Sequence, residues 1–139
     1  MALLKLVNDL RWMASGPRAG LAEITLPALQ PGSSLMPGKV NPVVPEAVAM
    51  ACMQVLGLDA ALAVATGSGS FQLHTAWPLL AWNVDQSLTL LTNAMRVLAE
   101  RAVSGFTVDR ARLAAQALHN PMLATALAHG RGQSFDLAA

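Results

Sequence analysis

Between Pro31 and Pro42 the chain sets two hydroxyls (Ser33, Ser34), one ammonium (Lys39) and one carboxamide (Asn41) close together. Prolines at 31, 37 and 42 stiffen the backbone there, while Gly32 and Gly38 loosen it. Such a set can bring a proton acceptor and carboxylate-binding donors to one small anion. Lys39 supplies a point charge and Asn41 two N–H donors, and successive backbone N–H groups around Gly32-Ser33-Ser34 can form an anion nest. A phosphate-binding loop is excluded: five residues separate Gly32 from Gly38 instead of four, and Val40 follows Lys39 where Ser or Thr is needed. On residue types alone, a surface loop whose serines cap turns fits the stretch equally well.

The elements that must hold this loop read as helices. Leu3, Leu6, Val7 and Leu10 share a face at helical spacing, which predicts a helix over residues 2–14, ended by Ser15-Gly16-Pro17. Residues 15–45 hold most of the prolines and four of the ten glycines, so a long irregular stretch is expected. Its apolar residues Ile24, Leu26, Leu29, Leu35 and Met36 argue against disorder, and ordered loops of such length are usually functional. A second helix opens at Pro45-Glu46, where proline suits the first turn and the carboxylate suits the helix dipole. It stays apolar almost all round to Ala65 and breaks at Thr66-Gly67-Ser68-Gly69-Ser70. A third runs from Trp77-Pro78 to about Val103, with a seam on Leu80, Val84, Leu88, Leu91, Met95, Leu98 and Ala102. After Ser104-Gly105, Thr107 is the expected N-cap of a segment from Val108 to Leu118, and Asn120-Pro121 caps another that ends near His129-Gly130. Residues 131–139 show no period. With no strand pattern in view, the expected fold class is all-α.

Composition narrows the setting. Apolar residues make up 54% and charged residues 12%, against roughly 25% charged in soluble domains. That excess suits either a membrane protein or helices buried between subunits. In Val43–Ala65 the longest uncharged run, Ala47–Leu58, is 12 residues, whereas a bilayer needs about 20; no membrane association is expected. Nine basic and eight acidic residues are scattered singly, which leaves no patch for nucleic acid. The amino terminus carries Lys5, Asp9 and Arg11 and no signal-peptide cleavage pattern, so a soluble, cytoplasmic protein is expected. A single cysteine, Cys52, fits a reducing compartment, and its apolar neighbours make it a packed thiol. Trp12, Trp77, Trp82, Met50, Met53 and Met95 are expected in the core or at helix interfaces, and Arg96 with Glu100 on a solvated face.

Residues 32–42, Gly-Ser-Ser-Leu-Met-Pro-Gly-Lys-Val-Asn-Pro, match at every fixed position the signature Gly-Ser-Ser-x-Met-Pro-x-Lys-x-Asn-Pro of the fumarase/aspartase superfamily. The flanks Asp9-Leu10-Arg11, Ser15-Gly16-Pro17-Arg18-Ala19-Gly20-Leu21 and Glu23-Ile24-x-Leu26-Pro27 are also similar to that family. The resemblance extends to about Leu127 and corresponds to the last third of a typical member. It implies long antiparallel helices of a central bundle over residues 1–104, with the catalytic loop before the second helix. Residues 105–139 would begin a small carboxy-terminal helical domain that is incomplete here.

The resemblance further implies a homotetramer with sites assembled from several subunits, acting on a small dicarboxylate by anti-elimination to fumarate. Carried over by position, Ser33 is the catalytic base, Ser34 lies in the same loop, and Lys39 and Asn41 bind substrate carboxylates. Glu46 would pair with an active-site histidine from another segment. No cofactor is implied, and no metal-ligand cluster is evident in the sequence. The family's other two signature regions are absent from these residues, so the chain alone is expected to be inactive. None of His74, His119 and His129 stands in for the missing histidine; His74, where relatives commonly carry asparagine, reads as a local polar contact or a change to the site. The runs Ile24–Gln30 and Asn41–Glu46 resemble aspartate ammonia-lyases more than class II fumarases, which favours ammonia over water as leaving group. A different class of function, a catalytically silent oligomerisation remnant, is the other alternative.

Overall fold

Leu3, Val7, Leu10 and Met13 recur at helical spacing, and the chain coils from Ala2 to Met13 as α1 with this stripe turned inward. Leu6, expected on the same face, is exposed, because it lies about 100° round the helix from Val7. The computed structural model describes residues 1–123, which fall into two compact units, Met1–Thr107 and one beginning at Val108.

Ser15 ties the end of α1 to the next stretch of chain. Its hydroxyl donates to the Trp12 carbonyl (2.5 Å) and accepts from the Leu21 N–H (3.1 Å). The Ala22 N–H donates to the Ser15 carbonyl (2.6 Å) and the Glu23 N–H to that of Met13 (2.9 Å). This closes residues 15–22 into a small loop and launches β1, Ile24–Thr25, which pairs with β2, Thr107–Val108, the strand at which the first unit ends. The sequence pattern predicts no strand. Two residues are too few to display a period of two, so these strands come from tertiary pairing.

α2 spans Val43–Thr66 and α3 Trp77–Arg101, followed by a 3₁₀ turn at Val103–Gly105. The two helices pack on each other more extensively than any other pair. Val44 and Val48 near the start of α2 share a core with Leu98 and Ala102 at the end of α3, so the pair is antiparallel. Val7 and Leu10 of α1 and Ile24 of β1 complete that core, together with Ala49, Cys52 and Ala94. The core therefore sits at the end of the hairpin from which the Ser33 loop emerges. Cys52 is buried in it as a free thiol.

Away from that end the helices are largely uncovered. The expected α3 seam is only partly used: Leu98 and Ala102 are buried, but Val84, Leu88 and Met95 are exposed. Asn83 and Ala94 are buried instead, one step round the helix. α3 packs chiefly on α2, and the position of α2 selects which side of α3 is covered. The expected core placement of Trp12, Trp77, Trp82, Met50, Met53 and Met95 is likewise corrected, since within this chain all six are exposed. Arg96 and Glu100 lie on the solvent side as expected. Among the described residues α2 is the one helix long and apolar enough to cross a membrane, although Glu46 and Asp59 lie within it.

The second unit begins with α4, Arg110–Leu118. Its N-cap is Asp109, whose carboxylate accepts from the Arg112 N–H at 2.9 Å, and not Thr107, which is taken into β2. The Asn120 side chain accepts from the Met122 N–H at 2.9 Å, as a capping residue does. The helix expected to end near His129, and the tail 131–139, lie outside the described residues.

Candidate active site

Twenty-nine residues, 14–42, join α1 to α2, and the second half of this connection carries the candidate chemistry. Two successive turns fold it. The Met36 N–H donates to the Ser33 carbonyl (3.3 Å) and the Lys39 N–H to the Met36 carbonyl (3.1 Å). Gly38 sits at a φ of 80°, where glycine carries no Cβ penalty. The turns return the chain onto itself so closely that a Cβ on Gly32 would stand 1.5 Å from the Lys39 carbonyl oxygen. Residues 33–38 are thereby a lobe with a glycine–lysine neck, and the neck sets where Ser33 lies relative to Lys39.

The Ser33 hydroxyl oxygen accepts a hydrogen bond from the Leu35 N–H at 3.2 Å, and the residue is half-buried. A serine hydroxyl is too weakly acidic to serve unaided as a base, and a donor aimed at its oxygen favours the anionic form. Ser34, Leu35, Met36 and Lys39 are exposed, and Asn41 is half-buried.

Beside the lobe lies an open cleft of about 560 Å3. Lys39 and Asn41 line one wall, and Gly16-Pro17 with the Ile24–Pro27 stretch line the other. The structure thus brings together the two residues expected to bind carboxylates. Ser33 and Ser34 do not line the cleft and remain on the lobe above it. Sequence reasoning gave the opposite wall no role. Its signal was the Ser15–Leu21 run, whose loop closure on Ser15 holds that wall in place.

Glu46 stands one turn into α2, its N–H bonded to the carbonyl of Pro42, a cleft residue (3.1 Å). Its carboxylate faces Arg11 of α1, Oε1 to Nη2, at 3.9 Å. Sequence reasoning missed this contact. The available signal was a basic residue in the last turn of α1 and an acidic one in the first turn of α2.

His74 belongs elsewhere. Its Nε2 lies 3.0 Å from the carbonyl of Ala65 and its ring 5.8 Å from that of Trp77. Ala65 is 22 residues along α2 from Val43, about 33 Å at 1.5 Å per residue. Within one chain His74 is therefore a local contact at the far end of the hairpin.

Residues 1–57 match the family described as lyase. The chain is 57% identical over 127 residues to "Fumarate hydratase class II 2" of Pseudomonas aeruginosa, covering 91% of this chain and 28% of that one. It is 50% identical over 127 residues to "Fumarate hydratase class II" of Mycobacterium tuberculosis, with 91% and 27% covered. Among solved structures it is similar to the recombinant class II fumarase of Schistosoma mansoni, with a TM-score of 0.92, 37% identity and coverage of 99% of this chain and 28% of that one. It is also similar to the fumarate lyase:delta crystallin of Brucella melitensis, with a TM-score of 0.84, 46% identity and coverage of 98% and 34%. The chain belongs to the fumarase/aspartase superfamily. It spans about a third or less of the length of these relatives. Their names favour class II fumarases over the aspartate ammonia-lyases suggested by Ile24–Gln30 and Asn41–Glu46. Ile24 is a core residue and Val44 and Pro45 are buried at the start of α2, so part of each run is fixed by packing.

Proposed function

We propose that these residues form the serine-loop portion of a class II fumarase-type lyase, interconverting fumarate and a 2-hydroxy dicarboxylate. The observation that carries this reading is the 57% identity to a class II fumarate hydratase over 91% of the chain. Lys39 and Asn41 hold a substrate carboxylate in the cleft, where an ammonium and an amide N–H favour the extra charge of the intermediate. Ser33 Oγ takes the Cβ proton as the C–H electron pair moves into the neighbouring carboxylate, giving an enediolate-like intermediate. Collapse of that intermediate forms the C=C bond, and the C–O bond breaks with the oxygen leaving as water once protonated. Ser34 shares the loop and helps shape the substrate contact. Glu46, in the first turn of α2, orients a proton-bearing group from another segment.

The wide uncovered face of α2, with Met50, Met53 and Val64 exposed, supports a second proposal, that the helices pack in a homo-oligomer. Exposed apolar patches of this extent are rarely left bare on monomers. A cytoplasmic setting suits the lone thiol of Cys52.

The direct test exchanges the matched 127-residue segment into the full-length Pseudomonas aeruginosa relative. The chimera is assayed through fumarate absorbance with malate and, separately, with aspartate. Turnover of malate and not of aspartate is expected. Release of ammonia from aspartate with malate untouched would overturn the choice of leaving group, and a folded chimera inactive on both would overturn the reading of the site.

A further inference from the structure

We propose that Arg11 is a charge-compensating residue at the cleft, acting through Glu46 on the affinity for a doubly negative substrate. The inference rests on the fumarase-type reading, which supplies the dianion. Arg11 itself is absent from the cleft walls, so any influence on substrate passes through its partner.

The geometry is specific to this pair. Arg11 lies in the last turn of α1 and Glu46 in the first turn of α2, so they stand at the two ends of the connection that builds the site. Each charge sits at the helix end whose dipole it complements. The ion pair of Lys5 with Asp9, by contrast, lies within α1 and links no two elements. Arg11 is held from its own helix as well, Nη1 donating to the Asn8 side chain at 3.2 Å, which leaves Nη2 toward Glu46 Oε1 at 3.9 Å. The Glu46 backbone is bonded to Pro42, and Pro42 lines the cleft next to Asn41.

Without Arg11, the Glu46 carboxylate in the first turn of α2, whose backbone is bonded to the cleft residue Pro42, would oppose the approach of a dianion. Both side chains are about two-fifths exposed, 43% and 38%, so water and salt screen the effect, and as a structural tie the pair is weak. Charge, not adhesion, is therefore what the pair contributes. As general electrostatics, one unopposed negative charge about 10 Å from a dianion weakens its binding on the order of three-fold at low ionic strength. The loss disappears once the Debye length falls to about 3 Å in molar salt.

The experiment uses the same chimera, with succinate as a non-reacting dianion whose dissociation constant is measured by titration calorimetry at low and high salt, a readout that needs no turnover. Arg11→Met is expected to raise that constant about three-fold at low salt and hardly at all in molar salt, with kcat little changed. Arg11→Lys should restore binding, since it returns the charge. In a Glu46→Gln background Arg11→Met should have no further effect, because the opposing charge is gone. An unchanged succinate constant in Arg11→Met, or an increase that persists with Glu46→Gln or in high salt, would overturn the inference. Should Arg11→Met fail to accumulate as folded protein, Arg11→Gln makes the same neutral comparison. An unsubstituted chimera that turns over malate separates failure of this inference from failure of the fumarase-type reading.

Discussion

The neck of the lobe gives the sharpest prediction. In Gly32→Ala the new Cβ would begin 1.5 Å from the Lys39 carbonyl oxygen, whereas real Cβ contacts essentially never fall below 3.0 Å. The obstructing atom belongs to backbone, so the Lys39 strand of the lobe must retreat by about 1.5 Å. That retreat pulls on the Lys39–Met36 and Met36–Ser33 hydrogen bonds, which form the two turns. A displacement of about 1 Å in a positioned group can cost on the order of 100-fold in rate. Here it moves the lysine expected to hold the substrate relative to the serine expected to take its proton. A loss of kcat/KM on the order of 100-fold or more is therefore expected in the chimera. The lobe is exposed and separate from the core of Val7, Val48 and Leu98, so global stability should change by no more than about 1–2 kcal/mol, the worth of one or two hydrogen bonds. The assay is fumarate absorbance alongside thermal melting. Gly38→Ala is the comparison: its Cβ meets nothing within 4 Å, and only the φ of 80° opposes it. If Gly32→Ala kept more than a tenth of the parental kcat/KM, or fell no further than Gly38→Ala, the neck would not position the site.

The same geometry carries further expectations. Ser33→Ala should lower kcat by about 10²–10⁴-fold with little change in substrate affinity, Lys39→Ala should weaken both, and Ser34→Ala should lose least; steady-state kinetics of the three in the chimera decides. Leu98→Ala, in the core shared by α2 and α3, should cost about 2–5 kcal/mol in denaturant unfolding with the loop chemistry intact in whatever remains folded. The isolated 139-residue chain should self-associate at micromolar concentration through the uncovered apolar faces of α2 and α3, and a clean monomer in sedimentation would contradict it. The same isolated chain should neither form nor consume fumarate, which the absorbance assay checks directly.

Much of this protein was legible without coordinates. The helices declared themselves through apolar spacing and through local breakers: Ser15-Gly16 after α1, Gly67–Ser70 after α2, Pro78 in the first turn of α3. Those signals depend on a residue's immediate neighbours, so one dimension suffices to read them. The loop at 32–42 was legible for a related reason, since its residue types and spacing are local facts and carry the family's signature. Other features were decided only in three dimensions. β1 and β2 are each two residues long and exist because Ile24-Thr25 meets Thr107-Val108 from far along the chain. Asp109 and not Thr107 caps α4, because that pairing consumes Thr107. On α3, Asn83 and Ala94 were chosen over Val84 and Met95, since the helix is apolar on more than one side and only the position of α2 selects which side packs. Finally, the Gly32–Lys39 neck and the Arg11–Glu46 pair join residues 7 and 35 positions apart, and no local pattern encodes either distance.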